Sequence, residues 1–486
     1  MGKGRKAAGL AAGILLLTGL YGGDSIWAAQ GQWEYHDQAD QWYYLNEKGE
    51  YATGRQTIDG GVYFFDENGV MLTGWVSCPK EELPEPYSDS MDGADIYYCG
   101  TDGKMAKGWV VSYSPEDVVY DRNQDFDLVR EDMEKKRYYF DDRGRPYCGQ
   151  KKTIDGKRYI FDEEGACITG WIYDQGEGAA DRYLPVDTDS PDTDKELCRS
   201  GPENLMFGSH EDGSLAVRQW VDQIPPWDNE GDGARSFYAD SSGYMVTRGR
   251  GRGEGVSFSA RRKATKMAET GTYRFEDWST DANIVYIDGN YYCLEDSGTR
   301  MDGMIYLTGA DGGSSFADGL YCFMDNAAMK TGTVMKENIS DDDGSDGYVY
   351  YYSFAERDSS RYSKGQGISG VHGGRLYYHG MAVGAQYETF EVVYLPTLEE
   401  QDDTGQSTGL FLVDAGGRVK TGSRGGSHYT SSNGNVYRVT RVSDRNDDYG
   451  YVIEYYDGDK DDDNHKIWKS LTEKDYDYIC WDAVEE

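Results

Sequence analysis

The sequence predicts an all-β protein: a solenoid of short β-hairpin repeats with irregular acidic inserts. Three observations carry the prediction. An aromatic–glycine pattern recurs at fixed spacing, glycines stand where tight turns need them, and composition favours a thin array over a globule. The 486 residues include 63 Gly, 42 Tyr, 14 Phe and 11 Trp, yet only 38% are hydrophobic and mean hydropathy is −0.75. A globular core draws chiefly on Leu, Ile and Val. Here tyrosine, with an apolar ring and a wet hydroxyl, takes much of that load. An aromatic content of 14% argues against a disordered acidic chain.

The first element is a leader. Lys3, Arg5 and Lys6 precede an apolar run from Ala7 to Leu20, and small residues follow at Ala28-Ala29. This is the pattern of a secretory signal peptide over residues 1–29, with an apolar run short of the ~20 residues that span a bilayer. Without it the chain carries 46 Lys+Arg against 86 Asp+Glu, a net charge of −40. Such a surface stays soluble and repels phosphate polymers, so nucleic acid is not an expected partner. No transmembrane segment is expected in the mature chain. No Leu-Pro-x-Thr-Gly sorting motif is present, so non-covalent attachment through the repeats is expected.

The repeats follow. Tyr63 to Trp75 serves as template: an aromatic strand, Asp66-Glu67-Asn68-Gly69, a short second strand, then Thr73-Gly74-Trp75. Tyr159 to Trp171 matches it at identical spacing, as do Tyr43 to Arg55, Tyr97 to Trp109 and Tyr138 to Gln150. Weaker copies run from Phe237, Tyr292, Tyr321 and Phe411, with degenerate ones around Gly213 and from Tyr377 to Gly384. The turn glycine supplies a positive φ. A lone hairpin is marginal in water, so each must bury its aromatic face on its neighbours. The expected division is a repeat array over 30–172, degenerate repeats with long inserts over 173–423, and a divergent β-rich extension or cap over 424–486. The inserts, Ser77 to Ala94, Val111 to Lys136, Tyr173 to Gly201 and Arg248 to Asn283, are expected to be irregular loops between repeats. The last holds a basic stretch over 248–266, expected to be a loop or to pair with acidic neighbours.

These motifs resemble the cell-wall-binding or choline-binding repeats of Gram-positive surface proteins, relatives of glucan-binding repeats and of clostridial toxin repeat domains. Thr57-Ile58-Asp59-Gly60 and Thr153-Ile154-Asp155-Gly156, read as linkers, strengthen the match. The resemblance implies hairpins wound into a β-solenoid, with ligands held between consecutive hairpins in aromatic cages. In choline-binding members the cage combines the Trp after Thr-Gly with aromatics of the next hairpin's strand. Trp75, Trp109 and Trp171 match the first position; Trp42-Tyr43-Tyr44, with Trp33 before it, matches the strand run. The candidate ligand-binding residues are therefore Trp33, Trp42, Tyr44, Tyr63, Phe65, Trp75, Tyr98, Trp109, Tyr159 and Trp171.

The pattern is incomplete. Arg55 and Gln150 replace the Trp after Thr-Gly; Val62, Ile96, Arg137 and Arg158 stand where strand Trp is expected. The inserts are expected to separate Trp75 and Trp109 from the hairpins that complete their cages, which leaves Trp33 with Trp42 and Tyr44 as the best candidate. A trimethylammonium group gains about 0.5–1 kcal/mol from an exposed ring and about 2 when desolvated. A sugar stacks on Tyr and Trp faces without a complete cage, and the lost cage positions move weight towards it. The expected function is a non-catalytic, secreted surface protein, held non-covalently at the cell wall and binding choline-bearing teichoic acid or polysaccharide. The alternatives are an adhesin for host or neighbour-cell glycans, or a structural spacer.

No catalytic residue, cofactor or metal is expected. His36, His210, His372, His379, His428 and His465 are scattered, with no H-E-x-x-H and no nucleophile elbow. No repeat-free interval reaches the ~150 residues of a catalytic domain. The acidic runs Asp121 to Asp127 and Asp457 to Asp463 read as solvated loops; the first lacks the glycine that a calcium loop requires. None of the eight cysteines forms a C-x-x-C pair, and spacing does not fix disulfide pairing.

Overall fold

The computed structural model describes residues 31–79, 83–86, 94–115, 119–120, 127–128, 134–228, 233–247, 257–262, 264–266, 273–275, 279–309, 316–324, 327–336, 350–385, 388–394, 409–441, 451–471 and 477–478. The expected leader, most of the Asp121 run and the Arg248 to Arg252 segment lie outside them. The chain forms an all-β hairpin repeat fold in two compact units, Met1–Cys148 with Glu163–Cys167, and Gly149–Asp162 with Ile168–Glu486.

In the first unit, hairpin 1 pairs Gln32–His36 with Gln41–Leu45 and hairpin 2 pairs Gly54–Ile58 with Gly61–Phe65. Hairpin 3 pairs Gly74–Cys78 with Asp95–Cys99, and hairpin 4 pairs Gly108–Ser112 with Lys136–Phe140. The second unit begins with hairpin 5, Gln150–Ile154 with Lys157–Phe161. Hairpin 6 pairs Gly170–Asp174 with Leu205–Gly208, and hairpin 7 pairs Gln219–Gln223 with Arg235–Ala239.

This pairing corrects the strand partners read from sequence. The five-residue ladder joins the Thr-Gly strand to the following aromatic strand, through segments that read as linkers. Asp59 and Gly60 have φ of 48° and 77°, Asp155 and Gly156 50° and 80°. Two successive left-handed residues make the tight hairpin turn that twisted strands prefer. The Asp66–Gly69 turn instead closes a single bridge, Phe65 to Met71. The inserts change meaning too. Ser77 to Ala94 and Val111 to Lys136 lie at the tips of hairpins 3 and 4 and do not separate consecutive repeats. Nor are the later inserts wholly irregular. Tyr183–Val186 pairs with hairpin 6, and Asp192–Ser200 forms a helix with Cys198 buried beneath it. Ser257–Arg262 pairs on both sides, with Ser279–Ile287 and with Gly303–Thr308.

Hairpins stack through a recurring backbone bond. The amide of Met71 donates to the Trp42 carbonyl at 2.8 Å, and that of Met105 to Val62 at 2.8 Å. Cys167 to Arg137 (2.7 Å), Leu215 to Arg158 (2.7 Å) and Met245 to Leu205 (2.8 Å) repeat it. Pro146 holds the same position without an N–H to give. The turn glycine is constrained twice. Gly103 has φ of 74°, and a Cβ there would meet Met71 Sδ at 2.1 Å; at Gly144 it would meet Met105 Sδ at 2.4 Å. The side chain after one turn thus seats on the glycine of the next.

Beyond hairpin 7 the strands merge into broader antiparallel sheets. One has seven strands, centred on Ser279–Ile287, Ser257–Arg262 and Gly303–Thr308, and another five, from Gly332–Lys336 to Gly370–His372. The C-terminal extension is β-rich, a four-stranded sheet from Ser427–Thr430 to Lys469–Ser470. Cys99, Cys167, Cys198, Cys293 and Cys322 are buried. In the Asp457 run, Lys469 bonds both Asp457 and Asp459. No described helix is long and apolar enough to cross a membrane.

Candidate functional site

The hairpin register builds one local geometry repeatedly. A Trp on the first strand faces an aromatic directly across the ladder and meets a second aromatic from a later hairpin. Trp33 lies 5.1 Å from Tyr44 and 4.9 Å from Tyr63, centroid to centroid. Trp75 lies 5.3 Å from Tyr98 and 4.8 Å from Tyr138. Trp171 lies 5.3 Å from Phe207 and 5.1 Å from Phe237. Trp220 lies 5.3 Å from Tyr238 and 4.9 Å from Tyr292. Interplanar angles of 60–84° make all of these edge-to-face packing. Trp220 escapes a reading of the sequence because Arg218-Gln219 replaces Thr-Gly before it; the positive φ falls on Arg218, at 50°, one residue earlier than on Gly74.

The chain fills most of these corners itself. Trp75 is 6% exposed and Trp171 5%. Their indole N–H groups donate to the carbonyls of Tyr113 (2.9 Å) and Ile224 (2.7 Å). Phe140 and Ala166 complete the packing around Trp75. Three other tryptophans lie under the chain's own cations, Trp468 among them beneath Arg438. The Arg137 guanidinium rides 4.5 Å over Trp109, beside Tyr139, and Arg300 rides 4.7 Å over Trp220. Met71, which matches Arg300 in the repeat, packs with Trp33, Tyr44, Tyr63 and Phe65. Tyr159 is buried opposite Lys152. Of the ten expected site residues, the structure gathers Trp33, Tyr44, Tyr63 and Phe65 in one cluster and Trp75 with Tyr98 in another. Trp109, Tyr159 and Trp171 stand apart from both.

Trp42 differs. It is the one exposed tryptophan among those described, at 44%, and it lies across the ladder from Tyr35, 40% exposed. The two rings are 5.0 Å apart, tilted by 41°, and Trp33 abuts Trp42 edge-on at 6.4 Å. Tyr35 donates to Asp40 Oδ1 at 2.5 Å, and this bond, then burial, raises the phenol's pKa. Two rings in contact form a continuous outer surface. A cation cradled between two rings at the height Arg137 takes over Trp109 needs centroids more than about 6 Å apart, even at right angles. The opposite face of hairpin 1 is aromatic as well: His36, Tyr43 and Tyr51 cluster there, with the Tyr51 hydroxyl 3.3 Å from His36 Nε2. Tyr35 was not legible as a site residue; only the ladder places it beside Trp42.

No protein-family model matches the chain. It is 25% identical over 175 residues to a Glucosyltransferase-S of Streptococcus mutans serotype c, covering 29% of this chain and 12% of that protein. A Glucosyltransferase-S of Streptococcus downei is 43% identical over 44 residues, 9% of this chain and 3% of its own length. The chain therefore spans far less than two thirds of these relatives. Among solved structures, choline binding protein F of Streptococcus pneumoniae aligns at 19% identity over 73% of this chain and 98% of its own, with a TM-score of 0.27. The modular autolysin LytC of the same species, solved with a synthetic peptidoglycan ligand, aligns at 14% over 74% of this chain and 56% of its own, with a TM-score of 0.31. Superpositions at these scores carry no argument about a shared site. This chain is thus similar, over part of its length, to Glucosyltransferase-S, and its own fold is an array of β-hairpins.

Proposed function

We propose that this chain is a secreted, non-catalytic surface protein that holds cell-wall glycan by stacking a sugar ring on Trp42 and Tyr35. One observation supports this above others: the inner aromatic corners are filled by the chain's own rings and cations, while the Tyr35–Trp42 surface lies open. A pyranose offers a flat C–H face to such a surface and directs its hydroxyls outward. The carboxylates of Asp37 and Asp40, at the hairpin tip, are suited to accept them. At roughly 0.3 kcal/mol per heavy atom, one stacked hexose gives a Kd on the order of 1 mM. Useful retention on a wall then comes from multivalency.

The test is titration of the purified chain with peptidoglycan fragments and glucan oligosaccharides, followed by tryptophan fluorescence. Trp42→Ala is expected to weaken binding at least tenfold while moving the melting temperature by less than 1 °C. Retention on neither peptidoglycan nor any glycan would sink the proposal. A second reading, choline-bearing teichoic acid, is favoured by Arg300 over Trp220, a corner of the repeat that accommodates a cation. It predicts that choline, and not sugar, raises the melting temperature.

A further inference from the structure

Four aromatic side chains are exposed among the residues whose burial is described: Tyr35, Trp42, Tyr51 and Tyr286. Three belong to hairpin 1 and the segment just after it. The fourth, in the second unit, is the most exposed, at 55%. Tyr286 sits on Ser279–Ile287, directly across the ladder from Tyr291 and beside the turn Asp288-Gly289, with φ of 47° and 90°. The two rings are 4.9 Å apart and tilted by 54°. Tyr291 is braced from behind by the buried Phe316, edge-on at 5.2 Å. The arrangement repeats that of Tyr35 and Trp42: a contacting cross-strand aromatic pair at a hairpin tip, outside the corners between hairpins.

Its charge differs. At hairpin 1 the tip is acidic. Here the turn carboxylate is engaged, since Asp288 Oδ2 accepts the Tyr238 hydroxyl at 2.7 Å. The charge beside the rings is Lys364, whose ammonium lies 5.6 Å from the Tyr291 centroid. The backbone amide of Lys364 donates to Asp358 Oδ1 at 2.7 Å, which fixes the residue's place, while its ammonium has no carboxylate within 4 Å among the described residues.

We propose that Tyr286, Tyr291 and Lys364 form a second sugar platform, and that it takes a pyranose bearing a carboxylate. The ring face stacks on the two tyrosines and the acid pairs with Lys364, an attraction that weakens with salt. This deepens the glycan reading and rests on it.

The experiment compares a hexuronic acid oligosaccharide with its neutral counterpart of the same linkage, by calorimetry on the full chain carrying Trp42→Ala. The acidic sugar is expected to bind about tenfold more tightly than the neutral one at low salt. Lys364→Ala should abolish that preference and leave neutral binding unchanged. Tyr286→Ala should weaken both, with no change in melting temperature because the ring is exposed. Equal affinity for the two sugars, or indifference to Lys364→Ala, overturns the proposal. If wild type binds sugar and the Trp42→Ala chain binds none, this site fails and the Trp42 site stands. If wild type binds neither sugar, this proposal fails, and the glycan reading fails with it only when peptidoglycan and glucan are not bound either.

Discussion

Hairpins 1 and 3 share one aromatic corner in the same register and differ at the next pair towards the tip. In hairpin 3, Trp75 faces Tyr98 and is closed over by Tyr138, Phe140 and Ala166. In hairpin 1 a similar corner forms around Trp33, but a second pair, Tyr35 and Trp42, stands nearer the tip with nothing laid over it. An aromatic repeat residue thus becomes structural when a later hairpin covers it and remains available for binding where the array leaves it bare. The inner corner is alike in the two hairpins; the next pair is Tyr35–Trp42 in one and Ser77–Ile96 in the other, so residue type near the tip and coverage together decide.

The largest expected effect tests the covered half of that contrast. Trp75→Ala should cost about 3–5 kcal/mol by removing a buried indole from a packed corner, read as a lower urea midpoint, whereas Trp42→Ala should stay within about 0.5 kcal/mol. Equal losses would break the comparison. A half-buried ring in the second unit gives a pH signature. Burial lowers the His379 imidazole to about 4 from its ordinary 6.5. The unfolded chain then binds the extra proton between these values, so stability is fully present above pH 6.5 and falls as pH drops towards 4. The loss is up to about 3 kcal/mol. His379→Asn, which tolerates the left-handed backbone at φ of 46°, should flatten that slope in denaturation curves.

Gly103→Ala should cost about 1–2 kcal/mol from its positive φ, with further strain where Met71 seats. A melting temperature equal to wild type would mean the glycine seat does not hold hairpins together. The smallest effect sharpens the comparison most. Arg137→Ala uncovers Trp109 and should cost only about 0.5–1 kcal/mol. It should also give Trp109 a new fluorescence response to glycan or choline, turning a covered ring into an open one.

The repeat, its glycines and the β class were legible because turn chemistry and aromatic spacing are local signals. The pairing was not. Each repeat carries two turn signals, Asp66-x-x-Gly69 and Asp59-Gly60, and a local reading does not tell which one closes the long ladder. Five paired residues outweigh one bridge, and that comparison exists only once both strands are placed. The same limit hid the cation over Trp109. Arg137 was legible as a departure from the repeat, but its diagonal relation to Trp109 follows from the register Tyr139–Trp109. Trp220 was hidden by a substitution, Arg218-Gln219 standing where Thr-Gly is expected.

The hairpin tips are where this chain accumulates length. They run from the two residues Asp59-Gly60 to the stretch between Asp174 and Leu205, which accommodates an extra strand and a helix. Closing a longer tip costs only about 0.6 kcal/mol per doubling, and the stacking bonds are accepted by paired residues of the returning strand, such as Trp42, Val62, Arg137 and Arg158, not by the tip loop itself. Scaffold and ornament are therefore inherited independently: new surface can be grafted at Asp155-Gly156 or any other tip without rewriting the rungs beneath it.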